Sequence, residues 1–508
     1  MESSGLAEAA ALVERLTQDE INSVASEVAS GRREHILNSL DERGRAQELV
    51  QQQYSGRYPF ELLQNANDAA GSQGSSGKRV RFVVTNSSLL VADEGAGFGP
   101  EQVKAICGLG RSSKDPRKSI GYKGLGFKSV GEISDSPQVL CGPLRFGFDE
   151  QRARRLLTDA AGALLPDQRI PLFGLPFPLS NDDLGADQEE IDALTQSGFR
   201  TVLRLPYRSG VTADIVGRHV SATISPKLLL FLDATAELDT AGTPHDFRAV
   251  VVRDQRANHE EVLLEIIGSS DLRYLVYRHH APLAQRSLVA ELGKAWEEVE
   301  QVRLAVAVPL DDDGRPCGGP PQPLHVYFPT DEQTGLPLLL HADFALDLDR
   351  KRIAGTPQAG PYNNWLADTL VDFVSSQVVP SLAAATGDNT GGSVRAVAPT
   401  DHATGFAVEV RARLLNALRS VSFLPCADGA TKAPSQARLL PSSTPGAARI
   451  HALAPQPTRG CVAPALEEVA ATRRFLTQDL GRVSYRTASQ MTMLRRIAPP
   501  RKTTASLS

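Results

Sequence analysis

The first sixty residues carry a helical spacing of apolar and polar positions, and Pro59 suits the first turn of a further helix entering FELLQNANDAA, where its missing N–H costs nothing. Gly71, Gly74 and Gly77 end that segment. The pattern then becomes β-rich: RVRFVVT (79–85) and SLLVAD (88–93), parted by Asn86-Ser87, predict a hairpin with Asp93 at a strand end. A short helix is predicted from Pro100 to about Cys107, followed by a polar, basic stretch from Arg111 to Ser119. Strands are predicted at PQVLC, LRFGF and FRTVLRLPY, with an irregular proline-bearing insertion between 150 and 196 and helix over 212–237.

From 247 the runs FRAVVVR, EVLLEII and LRYLVYR predict strands, SLVAELGKAWEEVE a helix, VRLAVAVPL and PLHVYFP strands, and 363–385 a helix. ATGDNTGGSVRAVAPT (385–400) has linker composition, and 401–508 reads as two helical stretches among Pro, Ser and Ala. At roughly 150 residues per domain, 508 residues give about three domains. The fold class expected is α+β. Its parts are a helical lead (1–45), an α/β domain (46–240), a second α/β domain (241–385), a linker (386–400) and a mainly helical C-terminal region (401–508).

Composition removes several classes of function. Lys plus Arg 54 against Asp plus Glu 59 gives −5, too near balance to argue for nucleic acid or an acidic membrane. The five cysteines form no CxxC, so neither a zinc site nor a disulfide framework is signalled, and a reducing cytoplasm fits. The amino terminus lacks the pattern of a secretory signal, and no apolar run reaches the ~18 residues of a membrane span. His279, His280 and His341 have no HExxH context, and no Gly-x-Ser-x-Gly occurs.

Three short motifs carry the chemistry. Glu61, Asn65 and Asp68 are spaced four and three apart, which puts them on one face of a helix. Such a face suits Asn65 as an oxygen ligand for Mg²⁺ and Glu61 as the group that orients or deprotonates a water, although taken alone it reads sooner as a polar helix surface. Asp93-x-Gly95-x-Gly97 places a carboxylate at a strand end beside glycines, able to accept from the exocyclic amine of adenine, or simply a strand running into a turn. Gly121, Gly124 and Gly126, followed by Phe127 and Lys128, expose backbone N–H groups that suit phosphate. A Walker A loop is excluded because Phe127 stands where its lysine must be, and the glycine order is not that of a dinucleotide fold.

In this order the motifs resemble the GHKL superfamily, the Bergerat-type α/β sandwich that binds ATP in gyrase, the ninety-kilodalton heat-shock chaperones, histidine kinases and MutL-type repair proteins. The wording of YPFELLQNANDAA, IGYKGLGFKSVGEISDSP and YFPTDEQTGLPLLLHADFALDLDRKRI is most similar to the sacsin-type branch. The resemblance implies a Mg²⁺-dependent ATPase with ATP and Mg²⁺ as ligands: Glu61 as hydrolytic base, Asn65 as magnesium ligand, and Asp93 as adenine reader supported by Thr201. Asp68, Gly95 and Gly97 would line the nucleotide, with Gly121, Gly124, Gly126 and Phe127 in the phosphate loop. Among Arg111, Lys114, Lys123 and Lys128, the resemblance favours Lys114 and Lys128 for the phosphates. Arg350, Lys351 and Arg352 follow a strand of the second domain and are candidates to reach the γ-phosphate, Arg350 and Arg352 being assigned catalytic roles. The expected activity is that of a chaperone-like, nucleotide-driven conformational machine acting on a protein client, and a nucleotide-dependent homodimer is compatible with it. The alternatives are a MORC- or MutL-like clamp on DNA and a non-hydrolysing scaffold. A histidine kinase fits poorly, because only His35 precedes the ATP motifs.

Overall fold

A computed structural model of the chain describes residues 3–71, 77–108, 126–165, 167–293, 296, 298–385, 391–439, 460–467, 470–481 and 484–485. It is a mixed α+β structure built on one 14-stranded sheet. The sheet starts from the predicted hairpin, β1 (Lys78–Val84) and β2 (Ser88–Asp93), antiparallel with Val80 opposite Asp93. On one side of it lie β6 (Thr201–Pro206), β3 (Gln138–Cys141), β4 (Leu144–Gly147) and β5 (Phe177–Pro178). On the other side run β7 (Thr235–Ala241), β8 (Phe247–Gln255), β9 (Glu260–Ile266), β10 (Leu272–Pro282) and β11 (Gln301–Leu310). The far edge is made by β14 (Leu339–Ala342), β12 (Gln322–Val326) and β13 (Phe328–Leu336). Within this sheet, among the described residues, only β1 with β7 and β12 with β14 pair in parallel.

The helical lead is α1 (Ser3–Ala29) and α2 (Arg33–Gln53), then α3 (Tyr58–Gly71) and α4 (Pro100–Cys107). One apolar cluster gathers Ala9 on α1, Leu63 on α3, Phe82 and Val91 on the hairpin, and Tyr274 and Ala307 on the later strands. A second holds Val306 and Leu340 together with Leu366, Val397, Leu414, Phe423 and Leu480. Among the described residues no helix is long and apolar enough to cross a membrane.

Four expectations need correction. The stretch 150–196 is not irregular: α5 (Glu150–Ala161) buries Ala153, Leu157 and Ala161 at helical spacing, Asp149 caps it by accepting from the Arg152 N–H, and Gly162 ends it at φ 78°. A second helix, α6, covers Gln188–Gln196. The helix expected over 212–237 stops as α7 (Ala213–Thr223), because Ser225-Pro226 breaks it, and its tail becomes β7, paired with β1. Of the helix expected over SLVAELGKAWEEVE, the described residues up to 293 hold only a short 3-10 turn, Arg286–Leu288, and Gly293 at φ 100° cannot continue a helix; 294, 295 and 297 lie outside the described residues. In the segment of linker composition, Gly392–Val397 is helical and buries Val394, Ala396 and Val397. Beyond 401, the helix Ala407–Leu418 is joined by the two-residue strands Leu424–Pro425, Thr431–Lys432, Arg438–Leu439 and Ser484–Tyr485.

Candidate functional site

Helix α3 is held firmly, which fixes the direction in which its polar face points. Its Asn67 side-chain oxygen accepts from the Ala234 N–H at 3.3 Å and from the Thr235 N–H and hydroxyl at 3.1 Å each, tying the helix to the start of β7. Phe60 packs against Phe328, ring centres 5.1 Å apart, so the same helix touches the far edge of the sheet. The helix buries Glu61, Gln64 and Asp68, with Asn65 half-buried beside them. Leaving three polar side chains of this size out of water is costly unless they are partnered, so the face is specialised and not merely solvated.

One end of that face meets the turn after β2. The Ala96 N–H donates to the Ala69 carbonyl on α3 at 3.0 Å, and a Cβ on Gly95 would lie 2.6 Å from that of Ala69. Gly97 takes φ 78° and its position would clash with the Cys141 sulfur at 2.7 Å if it carried a side chain. Both glycines of the motif therefore permit the turn to lie against its neighbours. Asp93 is buried, and its carboxylate accepts from the Gly95 N–H at 2.8 Å. Burial pushes its carboxyl up to about 7. Thr201 lies directly opposite Asp93 across the antiparallel β2–β6 pair, which puts both side chains on one face of the sheet.

The other end of α3 meets the second half of the chain. Arg350 Nη1 donates to both carboxylate oxygens of Glu61 at 3.2 Å and to the Gln64 side-chain oxygen at 3.0 Å, and all three residues are buried. Arg350 sits at φ 56°, in the left-handed region, in a turn closed by its N–H donating to the Asp347 carbonyl at 3.0 Å. Gly126 lies against the same carboxylate: a Cβ there would come within 2.0 Å of Glu61 Oε2, so a glycine is needed for this approach. Glu61 and Ala69 are eight residues apart, about 12 Å along the helix, and Asn65 is midway between them.

Of the expected basic trio, only Arg350 reaches Glu61. Arg352 is exposed, with its carbonyl accepting from the Asp347 N–H at 3.0 Å, and Lys351 is half-buried with its N–H on the Asp349 carboxylate at 2.9 Å. Lys128 is turned inward: its amine donates to the Ile106 carbonyl and lies 4.3 Å from the centre of the Phe173 ring. Burial brings that amine down to about 7. Phe127 packs edge-on against Phe173 at 5.7 Å. Arg111, Lys114, Gly121, Lys123 and Gly124 lie outside the described residues.

Sequence reasoning missed Tyr54, Arg57 and Gln64. Arg57 is four residues before Glu61 and Gln64 three after it, so helical spacing alone would have drawn attention to both.

No protein-family model matches the chain. It is 24% identical over 438 residues to Protein NO VEIN of Arabidopsis thaliana. The relationship is distant. It covers 82% of this chain but 15% of that protein, so the chain spans a small part of the length of the relative it matches.

Proposed function

We propose that this chain binds ATP along the polar face of α3 and hydrolyses it in a Mg²⁺-dependent reaction, in the manner of the GHKL superfamily and its sacsin-type branch. The observation that carries the reading is the convergence of three separate segments on one helix, Asp93 with its glycine turn at Ala69, and Gly126 and Arg350 at Glu61. On this reading the adenine amine donates to Asp93, with Thr201 beside it, and the phosphates extend along α3 past Asn65 toward Glu61. Asn65 supplies an amide oxygen to Mg²⁺, which when bound neutralises phosphate charge. Glu61 receives the proton of the attacking water, and Arg350 carries positive charge from the second half of the chain to the reacting phosphate. The buried donors around Glu61 suit an anionic ligand. ATP exchange and hydrolysis would alter the hold of Arg350 on α3 and so move the two halves of the chain relative to one another.

Calorimetric titration of the full chain with MgATP tests the reading. Binding to the wild type, lost in Asp93→Asn and made insensitive to Mg²⁺ in Asn65→Ala, supports it. Absence of any nucleotide binding to the wild type overturns it.

A further inference from the structure

Arg57 is the least satisfied charge near the site. Its residue surface is 6% exposed, its Nε is buried without a hydrogen-bond partner, and burial lowers its pKa. Its guanidinium stacks 5.0 Å from the centre of the Phe60 ring, and no carboxylate among the described residues forms an ion pair with it. Glu61, Asp331 and Asp349 act on it only through space, and Arg350 opposes it as a second positive charge. Burying a guanidinium on these terms costs several kcal/mol, by the general scale for unpaired ions.

Its neighbours have spare donors as well. Gln64 gives its oxygen to Arg350, while its Nε2 is buried with no partner. The Tyr54 hydroxyl is likewise buried, with no acceptor for its proton, on the ring over which Arg350 lies at 5.8 Å. Two guanidiniums thus share a single adjacent buried carboxylate, that of Glu61, and two further donors find no acceptor. Asp349 and Asp331, on the turn and strand facing this end of α3, are half-buried and exposed, where water screens them.

We propose that Arg57, with Gln64 and Arg350, forms an oxyanion socket beside Glu61 that takes the terminal phosphoryl group and so distinguishes a nucleoside triphosphate from a diphosphate. This rests on the nucleotide reading above and adds a specificity-determining residue to it. A phosphate oxygen accepts from Arg57 Nε and Gln64 Nε2, and its negative charge balances the surplus guanidinium. The two arginines also screen the phosphate from Glu61, which lets both anions occupy one buried layer.

The test compares a non-hydrolysable ATP analogue with ADP, both with Mg²⁺, by calorimetry on the full chain. Arg57→Gln and Gln64→Leu should each weaken the analogue about tenfold or more, the size expected for a lost hydrogen bond to a charged group, and leave ADP within about twofold. The ADP-saturated wild type should also gain thermal stability from inorganic phosphate, and Arg57→Gln should not. If Arg57→Gln does not fold, Gln64→Leu carries the same comparison. Wild type that binds neither nucleotide defeats the nucleotide reading itself. Wild type that binds both, with variants that weaken both equally or neither, overturns the socket while leaving that reading intact.

Discussion

Asp93 and Thr201 are paired across β2 and β6, and the Asp93 carboxylate is closed from behind by the Gly95 N–H. Because burial raises this carboxyl to about 7, near neutral pH it is divided between its acid and carboxylate forms. An adenine amine is a donor and favours the carboxylate, so nucleotide binding should release a proton. ATP affinity is expected to rise as pH increases through about 7, and to plateau above it. The stability of the free protein has the opposite sign: a pKa raised on folding contributes stability that is complete below the unfolded value, about 4, and is lost as pH rises to about 7. Calorimetry in buffers of differing ionisation enthalpy measures the released proton. Proton uptake on binding would show that Asp93 does not receive the amine.

The Glu61 and Arg350 pair should behave as a coupled unit. Arg350→Met leaves a buried carboxylate without its main partner and is expected to cost about 3–5 kcal/mol in denaturant unfolding. Glu61→Gln in the same chain removes that orphan charge, so the double variant should be less destabilised than the sum of the single ones. Additivity to within about 0.5 kcal/mol would mean the two side chains are energetically independent.

Gly126→Ala addresses the close approach of backbone to carboxylate. The added methyl cannot share space with Glu61 Oε2, so the carboxylate must turn away. Hydrolysis should fall about tenfold or more, since a misplaced base loses most of its contribution, with ADP affinity little changed. Phosphate release at wild-type rate in this variant would separate Glu61 from the chemistry.

Local pattern made much of the scaffold legible. The β1–β2 hairpin, α4, and the strands from 247 to 310 follow from short-range alternation and turn residues, and the structure contains them. The errors fall where one residue overrides a longer pattern, as Gly293 and Pro226 do, or where proline content hides a well-capped helix such as α5. In the site, Glu61, Asn65 and Asp68 share a helix and their common face is a matter of spacing. The Arg350 contact joins positions 289 apart, and nothing in local sequence separates Arg350 from Lys351 and Arg352; the left-handed turn decides which of the three points inward. Arg57, though at helical spacing from Glu61, is passed over for a different reason. An arginine before a helix is ordinarily solvated, and only its burial against Phe60 marks it as unusual.

The most direct measurement is phosphate release by Glu61→Gln set beside its MgATP affinity in one preparation. Glutamine keeps an acceptor for Arg350 but cannot take a proton, so the variant should fold and bind MgATP within about threefold of wild type, while turnover falls by roughly 10² or more. Turnover equal to that of the wild type would contradict the account, because Glu61 would then have no part in hydrolysis.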